Sequence, residues 1–386
     1  MAAVPKPAPS SEIAIIGAGI IGLSIAWHLA ERGVRGITVY DRVGIGAGAT
    51  SIQPGGVRQQ WSTEIACRIA REAYEFYMSF DDRLAVDSRP SLTSCGYVFV
   101  ARGQNELDRL RTTVALQNRL GIPSRILTPQ ETGEIVPGLA PEAIAGASFC
   151  ADDGYFDRPL AVVAGFAEAC RRHGVRFVDG RIAGLGLDGA GLRMVLGDGT
   201  TAGAARVVLA TGHDTPELTA PLGYDLPIRR EPKYLFYSQP IRERLLEPLV
   251  TSHEDHFAAK HLADGSVLAS DLTAAGEPKT GRAHWYSHIR RTITELVPIL
   301  EYVTFPVLVE GFYDVTPDRQ PILGALDDEQ RLWTASGLNG RGLMMAPAIG
   351  RLLADALTDA NRPRELQALG AERFAADRLL PESQVV

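Results

Sequence analysis

The sequence predicts an α/β fold of about two domains that opens on a nucleotide-binding unit. Three observations predict it. The strand-like run "EIAII" leads into "GAGIIG" and the helix-like "LSIAWHLAERG", and the next strand-like run, "GITVYD", ends on Asp41. A second strand–glycine loop–helix unit, "RLWTASGLNGRGLMMAPAIGRLLADAL", lies near the other end of the chain. At 386 residues, 45% hydrophobic and 22% charged, the chain has an ordinary globular composition and is long for a single core.

The first unit is the most specific. Gly17, Gly19 and Gly22 stand between strand and helix, and Asp41 follows Gly22 by nineteen residues. This is the dinucleotide-binding spacing, in which the acid lies about 20 residues on. Gly17 permits the tight turn, Gly19 lets a pyrophosphate approach the backbone, and Gly22 lets helix and strand pack closely. The helix start at Ile20 and Ile21 offers free N–H groups and the positive end of a dipole to phosphates. Asp41 can accept both hydroxyl protons of a ribose. The apolar stretch Ile13–Ala30 is about long enough to span a bilayer, but three glycines within it and the "ERG" directly after exclude that reading.

Later segments favour a flavin over a nicotinamide. The loop after Asp41, "RVGIGAGATSIQPGGVRQQW", is rich in small residues, including Gly55 and Gly56, and suits backbone lying along an extended cofactor and its ring. The buried-strand pattern Val207–Ala210 ends on Thr211–Gly212, a second pass of small residues. Gly337, Gly340 and Gly342 precede a helix expected over Leu343–Leu357. Its N-terminal dipole suits the ring edge that becomes negative on reduction.

Between these units, "STEIACRIAREAYEFYMSFDDRL", "QNELDRLRTTVALQNRLG", "PLAVVAGFAEACRRHG" and "HIRRTITELVPIL" read as helices, with Gly121 and Gly174 as end signals. "SCGYVFVA", "KYLFYS" and "SVLASDL" read as strands. Residues 1–11, "MAAVPKPAPSS", read as a disordered tail without a signal-peptide core. A net charge of −7 gives no reason to expect nucleic acid. Cys67, Cys95, Cys150 and Cys170 form no CxxC pair, so neither a zinc site nor a disulfide framework is indicated. A reducing, cytoplasmic setting is expected. No His/Asp/Glu set has metal-ligand spacing, and His213, His256 and His261 are candidate proton acceptors or structural histidines.

Four stretches, "IIGAGIIGLSIAWHLAERG", "GAGATSIQPGGVRQQWS", "GFYDVTPDRQPILG" and "ASGLNGRGLMMAPAIG", carry a resemblance over nearly the whole chain. The chain resembles the D-amino-acid oxidase (DAO) family of FAD-dependent oxidoreductases. Its wording is nearest the glycine/sarcosine oxidase and sarcosine oxidase β-subunit/proline dehydrogenase β-subunit branch. The resemblance implies a glutathione-reductase-like FAD-binding Rossmann domain interleaved with an α+β substrate domain on a large mixed sheet. The implied FAD domain covers 12–85, 141–223 and 307–386, and the substrate domain 86–140 and 224–306.

Carried over by motif, Arg42 and Ala49–Thr50–Ser51 would line the pyrophosphate and ring, and Val175 would meet adenine through its backbone. Ala210–Thr211–Gly212 and the run Gly337, Asn339, Gly340, Arg341, Gly342, Leu343, Met344 would complete the flavin site. Two departures stand out. In the family that the chain resembles, some members attach flavin covalently, by a cysteine at the position of Gly311 or by a histidine in the loop after the acid. Here Gly311 stands at the first and no histidine lies between Gly44 and Trp61, so FAD is expected to be held non-covalently. Met344 replaces a substrate-binding lysine, which separates the chain from simple sarcosine oxidases.

The implied chemistry is oxidation of the C–N bond of a small amino acid or N-alkylated amino acid, by hydride transfer to the flavin. Arg58 is the candidate carboxylate anchor, against a role bracing the cofactor loop. Tyr313 is a candidate cap, against a packed strand aromatic. Arg341 is expected either at the substrate or at the surface, and Arg319 bracing its loop. The electron acceptor is expected to be O2 or another molecule. The resemblance implies a lysine for oxygen activation in sarcosine oxidases, and the matching strand "GSVLASDL" has none. This leans towards another acceptor, although glycine and D-amino-acid oxidases also lack that lysine. An FAD-dependent 2-hydroxy-acid dehydrogenase and a non-catalytic flavoprotein subunit or assembly factor are the alternatives. The sequence leaves room for an oligomer or a partner subunit.

Overall fold

The computed structural model describes residues 11–189, 191–359 and 363–384. The expected tail therefore lies outside the described residues except for Ser11, which begins the first strand. Ser11–Ile16 is parallel to both neighbours, Ile37–Asp41 and Thr201–Leu209. Arg176–Asp179, Ile182–Asp188, Gly191–Leu196, Ile322–Ala325 and Leu332–Ser336 complete this eight-stranded sheet. Its central strands are apolar on both faces because both are covered: Ile13 and Ile15 face one core, Ala14 and Ile16 another.

The two ends of the chain meet on this sheet. The helices Ile20–Glu31 and Gly342–Thr358 approach so closely that a Cβ on Gly350 would lie 2.2 Å from Ser24 Oγ. Ser24 Oγ donates to the carbonyl of Ala346 at 2.7 Å. Pro347 stands inside the second helix and has no N–H, so the carbonyl of Leu343 four residues earlier loses its helical donor. The buried Tyr77 hydroxyl donates to that carbonyl at 2.5 Å.

A second eight-stranded sheet runs in the order Val307–Val315, Arg229–Tyr237, Val267–Asp271, Phe257–His261, Leu249–Ser252, Tyr97–Ala101, Gly146–Cys150, Arg125–Leu127. Side chains alternate between its faces. Tyr234, Phe236, Phe257 and Val267 pack on the helix Pro278–Leu296 through Trp285, Ile289 and Ile293. The residues between them, Leu235, Ala258 and Leu268, face the other way, into a cleft. A small sheet of Gly56–Val57, Gly154–Phe156 and Leu92–Ser94 joins the two parts.

Several expectations shift. Gly146–Cys150 and Val307–Val315 belong to the second sheet, although the boundaries 141–223 and 307–386 grouped them with the first. The pairing of Tyr97–Ala101 with Gly146–Cys150, and of Arg229–Tyr237 with Val307–Val315, draws them there. The helix after the cofactor loop breaks at Met78–Ser79 into Glu64–Tyr77 and Phe80–Leu84. The helix expected at His288 begins ten residues earlier, at Pro278, whose fixed φ and missing N–H suit a first turn. No described helix is long and apolar enough to cross a membrane.

Replacing Tyr77 by Phe strands a buried carbonyl at the helix start that borders the cleft. It should destabilise the fold by about 1–3 kcal/mol in urea unfolding; an unchanged midpoint would show that Leu343 O is satisfied otherwise.

Candidate functional site

A cleft of about 2520 Å³, counting the part open to solvent, lies between the carboxyl ends of the first sheet's parallel strands and one face of the second sheet. This is where open α/β sheets bind ligands. At its nucleotide end, Gly17 has φ +109°, and a Cβ there would fall 2.3 Å from the Ala210 carbonyl oxygen. Gly22 allows the helix onto the turn, since its Cβ would clash with Gly17 O. Gly19, Ile20, Ile21 and Asp41 line the cleft. Asp41 is more committed than the ribose role assumed: Oδ2 accepts from Ala18 N, and Oδ1 from Val43 N and Gly44 N. Its carboxylate thus holds the glycine loop while it borders the cleft. Thr50 Oγ1 accepts from Ile20 N at 3.2 Å, tying the second loop to the helix start.

Arg42, Ala49, Thr50, Gly56, Ala210, Thr211 and Gly212 also line the cleft. Arg42 pairs with Asp214 at 2.6 Å, so it is not free for phosphate alone. Ser51 turns away, donating to Gly48 O, and Gly55 (φ +79°) packs under the Phe156 carbonyl. Val175 does not line the cleft: its side chain is in the core and its N–H donates to Cys170 O. Gly180–Ala183 line the cleft instead, because the strand Arg176–Asp179 carries the chain past Val175 first.

At the ring end, Asn339, Gly340, Arg341, Gly342, Leu343 and Met344 line the cleft, whereas Gly337 does not. Gly337 N and Leu338 N instead donate to the buried Asp314 carboxylate, and the Asn339 side chain bonds Thr316. Gly340 (φ +80°) is required by a neighbour, since a Cβ would lie 2.2 Å from the Tyr313 ring. Tyr313 is therefore a cleft residue packed flat on this glycine.

Arg58 and Arg341 are each 2% exposed, and neither guanidinium lies within 4.0 Å of a described carboxylate. The Arg58 guanidinium stacks 3.5 Å from the Trp61 ring centroid, and that of Arg341 lies 4.8 Å from it. Burial pulls both down to about 10, and for Arg341 the nearby Arg58 cation adds to the effect. Arg58 donates to the carbonyls of Gln60 at 2.7 Å and Gln384 at 2.6 Å, leaving three N–H donors. Arg341 is not at the surface: it ties down Leu338 O, Gln320 Oε1 and Arg319 O. Arg319 pairs with Glu231, consistent with a bracing role.

Several neighbours of Arg58 escaped the sequence reading. Tyr97 lines the cleft, and like Tyr313 its hydroxyl has no hydrogen-bond partner among the described residues. The fully buried Asp153 accepts from Gln59 N at 2.7 Å and Gln60 Nε2 at 3.0 Å, fixing the segment that follows Arg58. Burial pushes Asp153 up to about 7. Glu382, in the C-terminal tail, accepts from Ser62 and Thr63, and so holds the tail carbonyl of Gln384 on Arg58. The strand Val267–Asp271 carries no lysine, but Lys233 on a neighbouring strand lines the cleft, paired with Glu231 at 2.8 Å. Lys260 is buried beneath the cleft wall and donates to Pro54 O. No sequence spacing signals these residues; only the sheet register brings them together. Of the histidines, His213 borders the cleft. His261 is locked by Leu245 N and Gly265 O, and His256 lies outside the lining.

Residues 12–356 match the profile of a family described as FAD dependent oxidoreductase (DAO). The chain belongs to this family. It is 26% identical to a glycine oxidase of Geobacillus kaustophilus, over 89% of this chain and 92% of that protein. It is 25% identical to a 4-methylaminobutanoate oxidase (formaldehyde-forming) of Paenarthrobacter nicotinovorans, over 94% of this chain; the match spans 45% of that longer protein. Among solved structures, an L-proline dehydrogenase from P. horikoshii superposes with a TM-score of 0.88 at 25% identity, covering 97% of this chain and 100% of that one. The protein is an FAD-dependent oxidoreductase. The residues present fit that cofactor: Gly17 and Gly19 put backbone without side chains beside the helix start at Ile20 and Ile21, and Asp41 borders the same end of the cleft. No cysteine is among the described residues lining the cleft.

Gly17→Ala forces a methyl group onto the Ala210 carbonyl and should cost the purified protein most of its bound FAD, read from the flavin's visible absorbance. Gly203→Ala, where nothing lies within 4 Å, is the control and should keep full loading. Equal loading of the two variants would contradict the cradle.

Proposed function

We propose that the protein oxidises the C–N bond of a small amino acid or N-alkylated amino acid, giving an imine that water hydrolyses. One observation carries this reading: the Arg58 guanidinium, buried and without a carboxylate partner among the described residues, faces the cleft with two free phenol hydroxyls, Tyr97 and Tyr313. A buried cation is costly alone, and a substrate carboxylate that completes it recovers that cost through charge-assisted, two-pronged hydrogen bonds. The names of the relatives, glycine oxidase and L-proline dehydrogenase, support an amino acid as substrate.

FAD, when bound, takes up the hydride released from the carbon beside nitrogen. The remaining work belongs to the chain. Arg58 grips the carboxylate while Tyr97 and Tyr313 donate to its outer oxygens, which removes rotational freedom from the reacting carbon. Asp153 and the Glu382 clamp keep Arg58 in place through Gln59, Gln60 and Gln384, and so act as positioning residues. The apolar sheet face excludes water from the opposite side. No strong base is required when the amine arrives neutral, in keeping with a ring end lined by phenols and guanidinia.

Arg58→Ala should weaken binding of a carboxylate inhibitor by about 2–4 kcal/mol, the scale for truncating a buried charge partner, and raise KM in step. Normal kinetics in a fully FAD-loaded Arg58→Ala variant would refute the assignment. The products separate the chemistry: ammonia or an amine together with a 2-oxo acid, or an aldehyde together with the dealkylated amino acid, supports C–N oxidation, and a 2-oxo acid alone supports 2-hydroxy-acid oxidation.

A further inference from the structure

We propose that the site selects amino acids whose side chain is apolar and about the size of a branched aliphatic group. The proposal rests on Arg58 as carboxylate anchor and adds what lies beyond it. Five adjacent strands of the second sheet present one face to the cleft. Register places Leu235 beside Val309, Ala258 beside Ser270, and Lys260 beside Leu268. With Leu249 from the next strand, the cleft-facing set is Leu235, Leu249, Ala258, Leu268 and Val309.

Apart from the Tyr313 phenol, which the proposed function assigns to the substrate carboxylate, the polar side chains on this floor are already engaged. Ser270 Oγ donates to Tyr234 O at 3.0 Å. Lys233 is held by Glu231 at 2.8 Å, and Glu231 is shared with Arg319. The Lys260 amine bends out of the floor to Pro54 O and the Tyr155 ring. A polar side chain laid here would lose water and gain no partner, which disfavours it. An apolar one gains affinity by burial. Ala258, small among leucines, leaves the space, and the glycine loops that grip the cofactor form the facing wall.

The test uses FAD-loaded protein and three simple carboxylates, acetate, 3-methylbutanoate and succinate, with affinities read by titration calorimetry. Each fully buried methylene contributes about fourfold, so the three extra carbons of 3-methylbutanoate should tighten binding at least about fivefold over acetate even when partly buried. Succinate should bind no tighter than acetate. A ratio below fivefold, or succinate as the tightest ligand, overturns the proposal. Ala258→Phe, which fills the floor, should reduce the ratio between 3-methylbutanoate and acetate, and an unchanged ratio also overturns it. If none of the three binds, or Arg58→Ala binds them all as well as the natural protein, the carboxylate anchor itself fails.

Discussion

Two guanidinium groups held out of water around one indole, with no described carboxylate to neutralise them, govern the organisation of this molecule. Desolvating an ion costs several kcal/mol even after relaxation, so Arg58 and Arg341 persist only because surrounding structure enforces their placement. For Arg58 that enforcement comes from near and far along the chain: the Trp61 ring beneath it and Gln60 in its own loop, and the C-terminal tail through Gln384. Glu382 and Asp153, the buried acids whose charge acts on Arg58, spend their oxygens on Ser62 and Thr63 and on Gln59 and Gln60 instead. The positive charge therefore points into the cleft, available to an anion that comes from outside.

The cleft itself is a consequence of two sheets with different burial. The first is covered on both faces, which leaves only the carboxyl ends of its strands for ligand, and there the glycines permit close approach. The second is covered on one face by the helix Pro278–Leu296 and offers its other face to the cavity. One sheet thus offers backbone to the cofactor end of the cleft, and the other shapes the space beside it with side chains. The helices that begin at Ile20 and Gly342 lock the arrangement, since Ser24 and Gly350 allow them to touch.

The nucleotide end was legible in the sequence because its requirements are local. Gly17, Gly19, Gly22 and Asp41 sit within one strand–turn–helix–strand unit, where backbone conformation and spacing leave a direct trace. The ring end was legible only in part. Arg58, Tyr313 and Arg341 stood out through the family resemblance, but the reason Gly340 is glycine lies 27 residues away, in the Tyr313 ring. Tyr97, Asp153 and Glu382 were invisible because an isolated tyrosine or acid on an unremarkable element carries no periodic signal. Val175 was misplaced for a related reason: resemblance fixed its neighbourhood, whereas the path of one strand decides which residues meet the cleft. Sheet membership of Gly146–Cys150 and Val307–Val315 likewise depends on partners far along the chain.

A crystal structure of the FAD-loaded protein with acetate bound tests the central claim most directly. The account predicts a carboxylate oxygen within hydrogen-bonding distance of the Arg58 guanidinium, with the Tyr97 or Tyr313 hydroxyl on the same ligand. Acetate seated on Lys233 or at the Arg42–Asp214 pair, with Arg58 bonded only to the carbonyls of Gln60 and Gln384, would contradict it.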